Sequence, residues 1–218
     1  MKVAVLSANL GQYDAHVDWV PQDVPPSVDV TIHRLTDATF PLRAKAMTPA
    51  LQCAIPKMFG WQLFPGYDVY IWMDASRSLL RPDTVAWFLG KLEDRDLLLF
   101  LHPERHTIQE EYEFVKAKLA AGSRYLTKRY AGEWLDDQYA AVTQPWHVDD
   151  RLYASTAFAY RPTVKVQRMM RDWWFHKSRY LLHDQLALPF VVRAHKVRVR
   201  ELADSVYTSP HLPITRTK

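Results

Sequence analysis

An apolar run ends in an acid within YDVYIWMDASRSL (67–79): Asp74 follows Val69 to Met73, and a small residue and Ser76 come next. In an open α/β sheet, ligands bind beyond the carboxyl ends of the strands. A carboxylate at such an end can hold a hard divalent ion through oxygen, with a diphosphate and water completing the coordination. The same aspartate can instead cap the turn after the strand. A second acid, Asp184 in LLHDQLALPF (181–190), stands with His183 and Gln185 ahead of an apolar helical run. It either caps free helix amides or offers a carboxylate able to accept a proton. LHPERHTIQEEY (101–112) sets His102, Arg105 and His106 between a strand and a helix start, a position that favours anions, and structural loop chemistry explains the same residues. In SANLGQYD (7–14), Gly11 permits close backbone approach, Tyr13 can stack on a base, and Asp14 can accept from hydroxyls. An ordinary strand-to-helix turn explains the same residues. The spacing is not Gly-x-Gly-x-x-Gly, so a dinucleotide site has little support.

The elements that must position these residues are legible in outline. KVAVLS (2–7), VDVTIHRL (28–35), DVYIWM (68–73) and DLLLFL (96–101) read as strands, RLYASTAFAY (151–160) as a strand or strand pair, and KVRVR (196–200) as a late strand. RAKAMTPALQCAIPKM (43–58) is helical but interrupted by Pro49 and Pro56, which predicts two short helices. RPDTVAWFLGKL (81–92) is a helix. So is the segment from Ile108, whose Tyr112, Val115 and Leu119 share a face and which Gly122 stops. Residues 124–141 read as helical. Pro162 starts a helix with Val166, Met169, Met170 and Trp173 as its apolar stripe, and another helix runs from about His183 to Val192. Strands and helices alternate, which predicts an α/β, Rossmann-like domain with a mainly parallel mixed sheet flanked by helices.

Composition bounds the function. A chain of 218 residues, 48% hydrophobic, fits one domain with a sizeable core. With 28 Lys+Arg against 24 Asp+Glu, the net charge of +4 suits a diphosphate-bearing ligand and does not by itself make a nucleic-acid binder. The last eight residues carry Arg216 and Lys218 with no acid. Eight Trp, 11 Tyr and 9 Phe supply core packing or platforms for sugars and bases. Cys53 is the only cysteine and has apolar neighbours, which predicts a buried, unreactive thiol and no intrachain disulfide. The apolar run at the N-terminus is too short for a signal peptide, and no stretch reaches the length of a membrane span, so the expected location is cytoplasmic.

Three segments taken in order, RAKAMTPALQCAIPKMFGWQLFPGYDVYIWMDAS, LHPERHTIQEEYEFV and WWFHKSRYLLHDQLALPFVV, resemble a glycosyltransferase-like family of the GT-A type. That family is known from plant mucilage and turgor-related proteins and from bacterial and phage polysaccharide loci. The resemblance covers nearly the whole chain. YDVYIWMDAS stands where that fold carries its Asp-x-Asp motif, with Ser76 at the second acidic position. The resemblance implies one domain over 1–218, with residues 1–100 as the nucleotide-sugar half and 101–218 as the acceptor half. It implies a nucleotide-sugar donor, a UDP-sugar foremost, a glycan or other hydroxyl acceptor, and Mn2+ or Mg2+. Asp74 would hold the ion, joined by the late His211, whose imidazole suits manganese. Ser7, Asn9, Tyr13, Asp14, Arg43, Lys45, Lys57, Ser76, Arg105, His183 and Gln185 would contact the donor. Asp184 would act as general base or position the sugar. A second reading makes the acceptor a hydroxymethylated DNA base, with Arg193, Lys196, Arg198 and Arg200 tracking phosphates. A third is a carbohydrate-binding module without catalysis.

Overall fold

The computed structural model describes residues 1–11, 14, 17–43 and 45–215. Period-two alternation divides each central strand between two hydrophobic layers. In β1 (Lys2–Asn9), Ala4, Leu6 and Ala8 face one layer and Val3 and Val5 the other. In β3 (Val69–Met73), Tyr70 and Trp72 face the first layer and Val69, Ile71 and Met73 the second. Burial on both faces explains why these strands read as unbroken apolar runs.

β2 (Asp29–Thr36), β4 (Leu97–Leu101), β5 (Tyr153–Tyr160) and β6 (Val199–Leu202) complete one sheet in the order β2-β1-β3-β5-β4-β6. β5 runs antiparallel to both neighbours, and every other pairing is parallel. Helices α1 (Pro49–Leu63), α3 (Ile108–Ala120), α5 (Leu135–Val142), α6 (Val164–Arg179) and α7 (Asp184–Ala194) supply the first layer, together with α4 (Arg124–Tyr130). α2 (Thr84–Leu92) and the segment holding Val206 and Leu212 cover the second. The molecule is thus α/β with a mixed six-stranded sheet flanked by helices, a layering compatible with a Rossmann-like fold. No helix among the described residues is long and apolar enough to cross a membrane.

Two helical expectations change. Pro49 does not break α1 but occupies its first turn, where its missing N–H costs nothing, and the Thr48 side chain caps Leu51 N–H at 3.2 Å. Pro56 lies inside the same element, and the backbone leaves helical geometry at Phe59 (φ −119°, ψ 21°), so two helical segments do meet across a kink, which falls at Phe59 rather than at either proline. Residues 124–141, in turn, form two helices, parted at Gly132 with φ +81°. α1 also lies very close to β1. A Cβ at Gly60 would stand 2.0 Å from Leu6 Cδ1, so any larger residue would force the buried Leu6 side chain to move.

Candidate functional site

The chain runs from β1 to β2 on one side of it, then through α1 to β3 on the other. The strand order therefore reverses at β1/β3, the place where α/β sheets open a ligand crevice. A cavity of about 170 Å³ lies there, lined by Asn9 and Leu10 after β1, Asp74 to Ser76 after β3, and Lys57, Lys177 and Asp184 from the helices. Asp74 and Trp72 share a face at i, i+2, and the indole Nε1–H donates to Asp74 Oδ1 at 2.7 Å. Lys57 Nζ stands 3.5 Å from the same oxygen. The Asp74 side chain is 39% exposed, so it is anchored at one oxygen and open to the cavity.

Behind it sits a buried charge cluster. Asp184 Oδ2 accepts from Lys57 at 2.7 Å and from the Ser155 hydroxyl at 3.1 Å. Asp184 Oδ1 accepts from Lys177 at 2.6 Å. Lys177 also donates to the Leu182 carbonyl at 2.6 Å, and Trp173 Nε1–H donates to the Asp184 carbonyl at 3.2 Å. Burial alone would raise the Asp184 pKa, but Lys177 and Lys57 outweigh it and hold the carboxyl far below the usual range. Burial likewise disfavours the Lys57 ammonium, yet Asp184 and Asp74 leave its pKa above normal. For Lys177 burial prevails, helped by repulsion from Lys57, and the pKa falls.

Asp184 is the first residue of α7, and His183 occupies the N-cap position without a side-chain cap bond. Helix capping therefore does not account for Asp184. Its engagement also weighs against general-base chemistry, because a carboxylate shared by two ammoniums is a weak base.

A second cavity of about 320 Å³ adjoins the first across Asp74, Ser76, Arg129, Lys177 and Asp184. Arg105, His183 and Gln185 line it. Arg105 is ion-paired to Glu111 and lies over the Phe114 ring at 3.9 Å, and His183 Nε2 is 2.5 Å from the other Glu111 oxygen.

The other expected residues divide. Asn9 and Asp14 line the first cavity, where Asn9 bonds the Asp14 backbone through Nδ2 (2.6 Å) and Oδ1 (3.2 Å). Gly11, with φ +71°, donates its N–H to Asp37 at 2.9 Å. Ser76 is buried and lines both cavities. Ser7 lines instead a small neighbouring cavity of about 30 Å³. Arg43 and Lys45 are exposed on the loop before α1 and line neither large cavity. His211 is not brought to Asp74: its ring stacks on Trp87 of α2 at 4.6 Å, with Nδ1 3.7 Å from Asp83. Tyr13, Arg216 and Lys218 lie outside the described residues. Cys53 lines the first cavity, and burial pushes its thiol up to about 11, which keeps it unreactive.

Of the cations invoked for DNA, Arg193 faces Asp150 at 2.5 Å, Arg198 faces Asp94 and Asp96, and Arg200 lies 3.8 Å from Glu93. Lys196, the fourth, is exposed.

Sequence reasoning missed Lys177, Glu111, Tyr130, Trp72 and Ser155. For two of them a signal existed. Lys177 continues the stripe of Val166, Met170 and Trp173, and Glu111 falls between Ile108 and Val115 on the apolar face of α3. A charge placed inside an apolar stripe is buried by its helix and needs a partner. Set against known proteins, the chain matches no family model and no curated protein.

Proposed function

We propose that this protein is a glycosyltransferase of the GT-A type, moving a sugar from a nucleotide-sugar donor, a UDP-sugar foremost, to a hydroxyl acceptor. The observation that carries the reading is Asp74, fixed by Trp72 and Lys57 at the β1/β3 crevice with its carboxylate open to the cavity. Among the described residues no three His, Cys, Asp or Glu side chains converge on a metal position. A single carboxylate with a serine hydroxyl nearby fits an ion that arrives with a diphosphate and keeps its waters, rather than a resident metal. When bound, Mn2+ or Mg2+ would neutralise charge on the diphosphate. Asp74 and Ser76 are the residues that would hold it.

The rest of the site suits departure of a nucleoside diphosphate. Lys57 and Lys177 supply preorganised positive charge beside the cavity, which stabilises an anion that develops during reaction. Asp184 keeps the two ammoniums together at bonding distance, so its part is positional. Asn9 and Asp14, bonded to each other, line the same cavity, and a base and ribose would lie against them.

Thermal unfolding with UDP-, GDP-, CDP- and TDP-sugars, with and without Mn2+, tests the reading. A donor at a hundred times its Kd adds about 2.7 kcal/mol, which raises the melting temperature by roughly 5–10 °C in a domain of this size. One nucleotide class should do so only with metal. Stabilisation by free sugars and by no nucleotide would point to a carbohydrate-binding module instead.

A further inference from the structure

Three elements contribute one polar side chain each to a buried hydrogen-bonded chain beside the second cavity. Glu111 comes from α3, Tyr130 from the end of α4, and His183 from the residue ahead of α7. His183 Nε2 lies 2.5 Å from Glu111 Oε1, and His183 Nδ1 lies 3.0 Å from the Tyr130 hydroxyl. Arg105 holds the other Glu111 oxygen. All four line the cavity of about 320 Å³ that also reaches Asp74 and Asp184.

The chain has a direction. Burial would raise the Glu111 pKa, but His183 and Arg105 bring it down to about 2, so Glu111 is ionised and can only accept. The hydrogen it accepts is on His183 Nε2. In the neutral imidazole Nδ1 is then a bare acceptor, and the Tyr130 hydroxyl donates to it. Glu111 thus fixes the tautomer and can stabilise the imidazolium, the arrangement that makes a histidine a base in hydrolytic triads. Asp184, locked between two lysines, is poorly suited to that task.

We propose that Tyr130, His183 and Glu111 form a proton relay that deprotonates the acceptor hydroxyl, and that the transfer inverts the anomeric centre. The inference rests on the glycosyl-transfer reading above. In the step, the acceptor oxygen bonds to the anomeric carbon from the face opposite the diphosphate. The bond from that carbon to the phosphate oxygen breaks, and its electron pair leaves on the nucleoside diphosphate. The acceptor proton passes to the Tyr130 oxygen while the Tyr130 proton passes to His183 Nδ1. Tyr130 touches substrate. His183 and Glu111 act through it.

Tyr130→Phe removes one oxygen and keeps the ring, and His183→Gln keeps a polar group without a basic nitrogen. Each should lower kcat by a hundred- to ten-thousand-fold, leave the donor Kd within about twofold, and give the same inverted product in what turnover remains. A structural role alone would lower the melting temperature and leave the turnover of the folded protein unchanged. Near wild-type turnover in Tyr130→Phe, or a retained anomer, overturns the relay while donor binding still supports the wider reading. If no nucleotide-sugar binds or is hydrolysed, the wider reading falls and the relay falls with it. Nitrogen chemical shifts of His183 give a check independent of substrate: a ring protonated at Nδ1 rather than Nε2 at neutral pH overturns the proposal.

Discussion

Replacing Asp184 with asparagine keeps the side-chain shape and removes one charge, yet the structure predicts a large loss of stability. Both carboxylate oxygens are engaged by ammoniums, at 2.7 Å from Lys57 and 2.6 Å from Lys177, and the side chain is only 14% exposed. Removing one member of a buried ion pair costs about 3–5 kcal/mol, because the partner charge stays buried without compensation. For a domain of this length each kcal/mol corresponds to about 2–4 °C, so Asp184→Asn should melt roughly 6–20 °C below wild type at pH 7. The loss has a pH signature. Lys57 retains Asp74 at 3.5 Å, so the stranded ammonium is Lys177, whose pKa burial already depresses. In the variant the unfolded chain holds that proton more tightly than the folded one, so stability recovers as pH rises towards 10. Adding Lys177→Met should recover much of the loss at pH 7, since removing both charges leaves nothing unpaired. Circular dichroism melts at pH 7 and pH 9.5 measure all three quantities. A melting temperature within 2 °C of wild type at pH 7, flat with pH, would refute the reasoning and return Asp184 to a first-turn charge on the helix dipole worth about 0.3–1 kcal/mol.

Arg43→Ala with Lys45→Ala should change nucleoside diphosphate affinity by less than twofold, because neither residue lines the cleft; a tenfold loss in calorimetry would show that the loop closes on the ligand. Gly60→Ala should destabilise by about 1–3 kcal/mol through the clash with Leu6, and an unchanged denaturant midpoint would contradict the packing of α1 on β1. Glu111 has a folded pKa of about 2 against an ordinary 4.5, so its contribution is complete above pH 4.5 and is lost as pH falls towards 2. That contribution is about 3 kcal/mol, and Glu111→Gln should flatten this acid limb of the stability profile; an identical limb in the variant would remove Glu111 from the network.

What the sequence disclosed follows from what is local. The strand at 68–73 was legible because burial on both faces selects Val, Ile, Tyr, Trp and Met without a break, and Asp74 was legible as the acid ending it. The antiparallel entry of β5 between β3 and β4 was not, since pairing partners leave no periodic trace in one strand. The break in α1 was placed at its prolines, and it falls at Phe59, because proline at a first turn and proline in an interior look alike until the start of the helix is known. The basic residues ahead of β3 were weighed as one segment placed beside the donor by the resemblance, with Arg43 and Lys45 set ahead of Lys57. Helical phase decides otherwise: Lys57 lies among Ala54, Met58 and Gly60, on the face of α1 that meets the sheet. Lys177 and Glu111 needed the same rule applied to α6 and α3. The contacts between Asp74, Lys57 and Asp184 span up to 127 positions of chain and came only from the fold.

The central claim is that Asp74 anchors a metal-borne nucleoside diphosphate at the β1/β3 crevice. Isothermal titration of UDP into the wild-type protein and into Asp74→Asn, each with and without Mn2+, tests it most directly. The Asn variant still accepts the Trp72 indole N–H, so the fold should persist while the charge that holds the ion is gone. The account predicts metal-dependent binding to the wild-type protein and a loss of at least tenfold in the variant, with an unchanged far-ultraviolet spectrum. Undiminished metal-dependent binding in Asp74→Asn would contradict it.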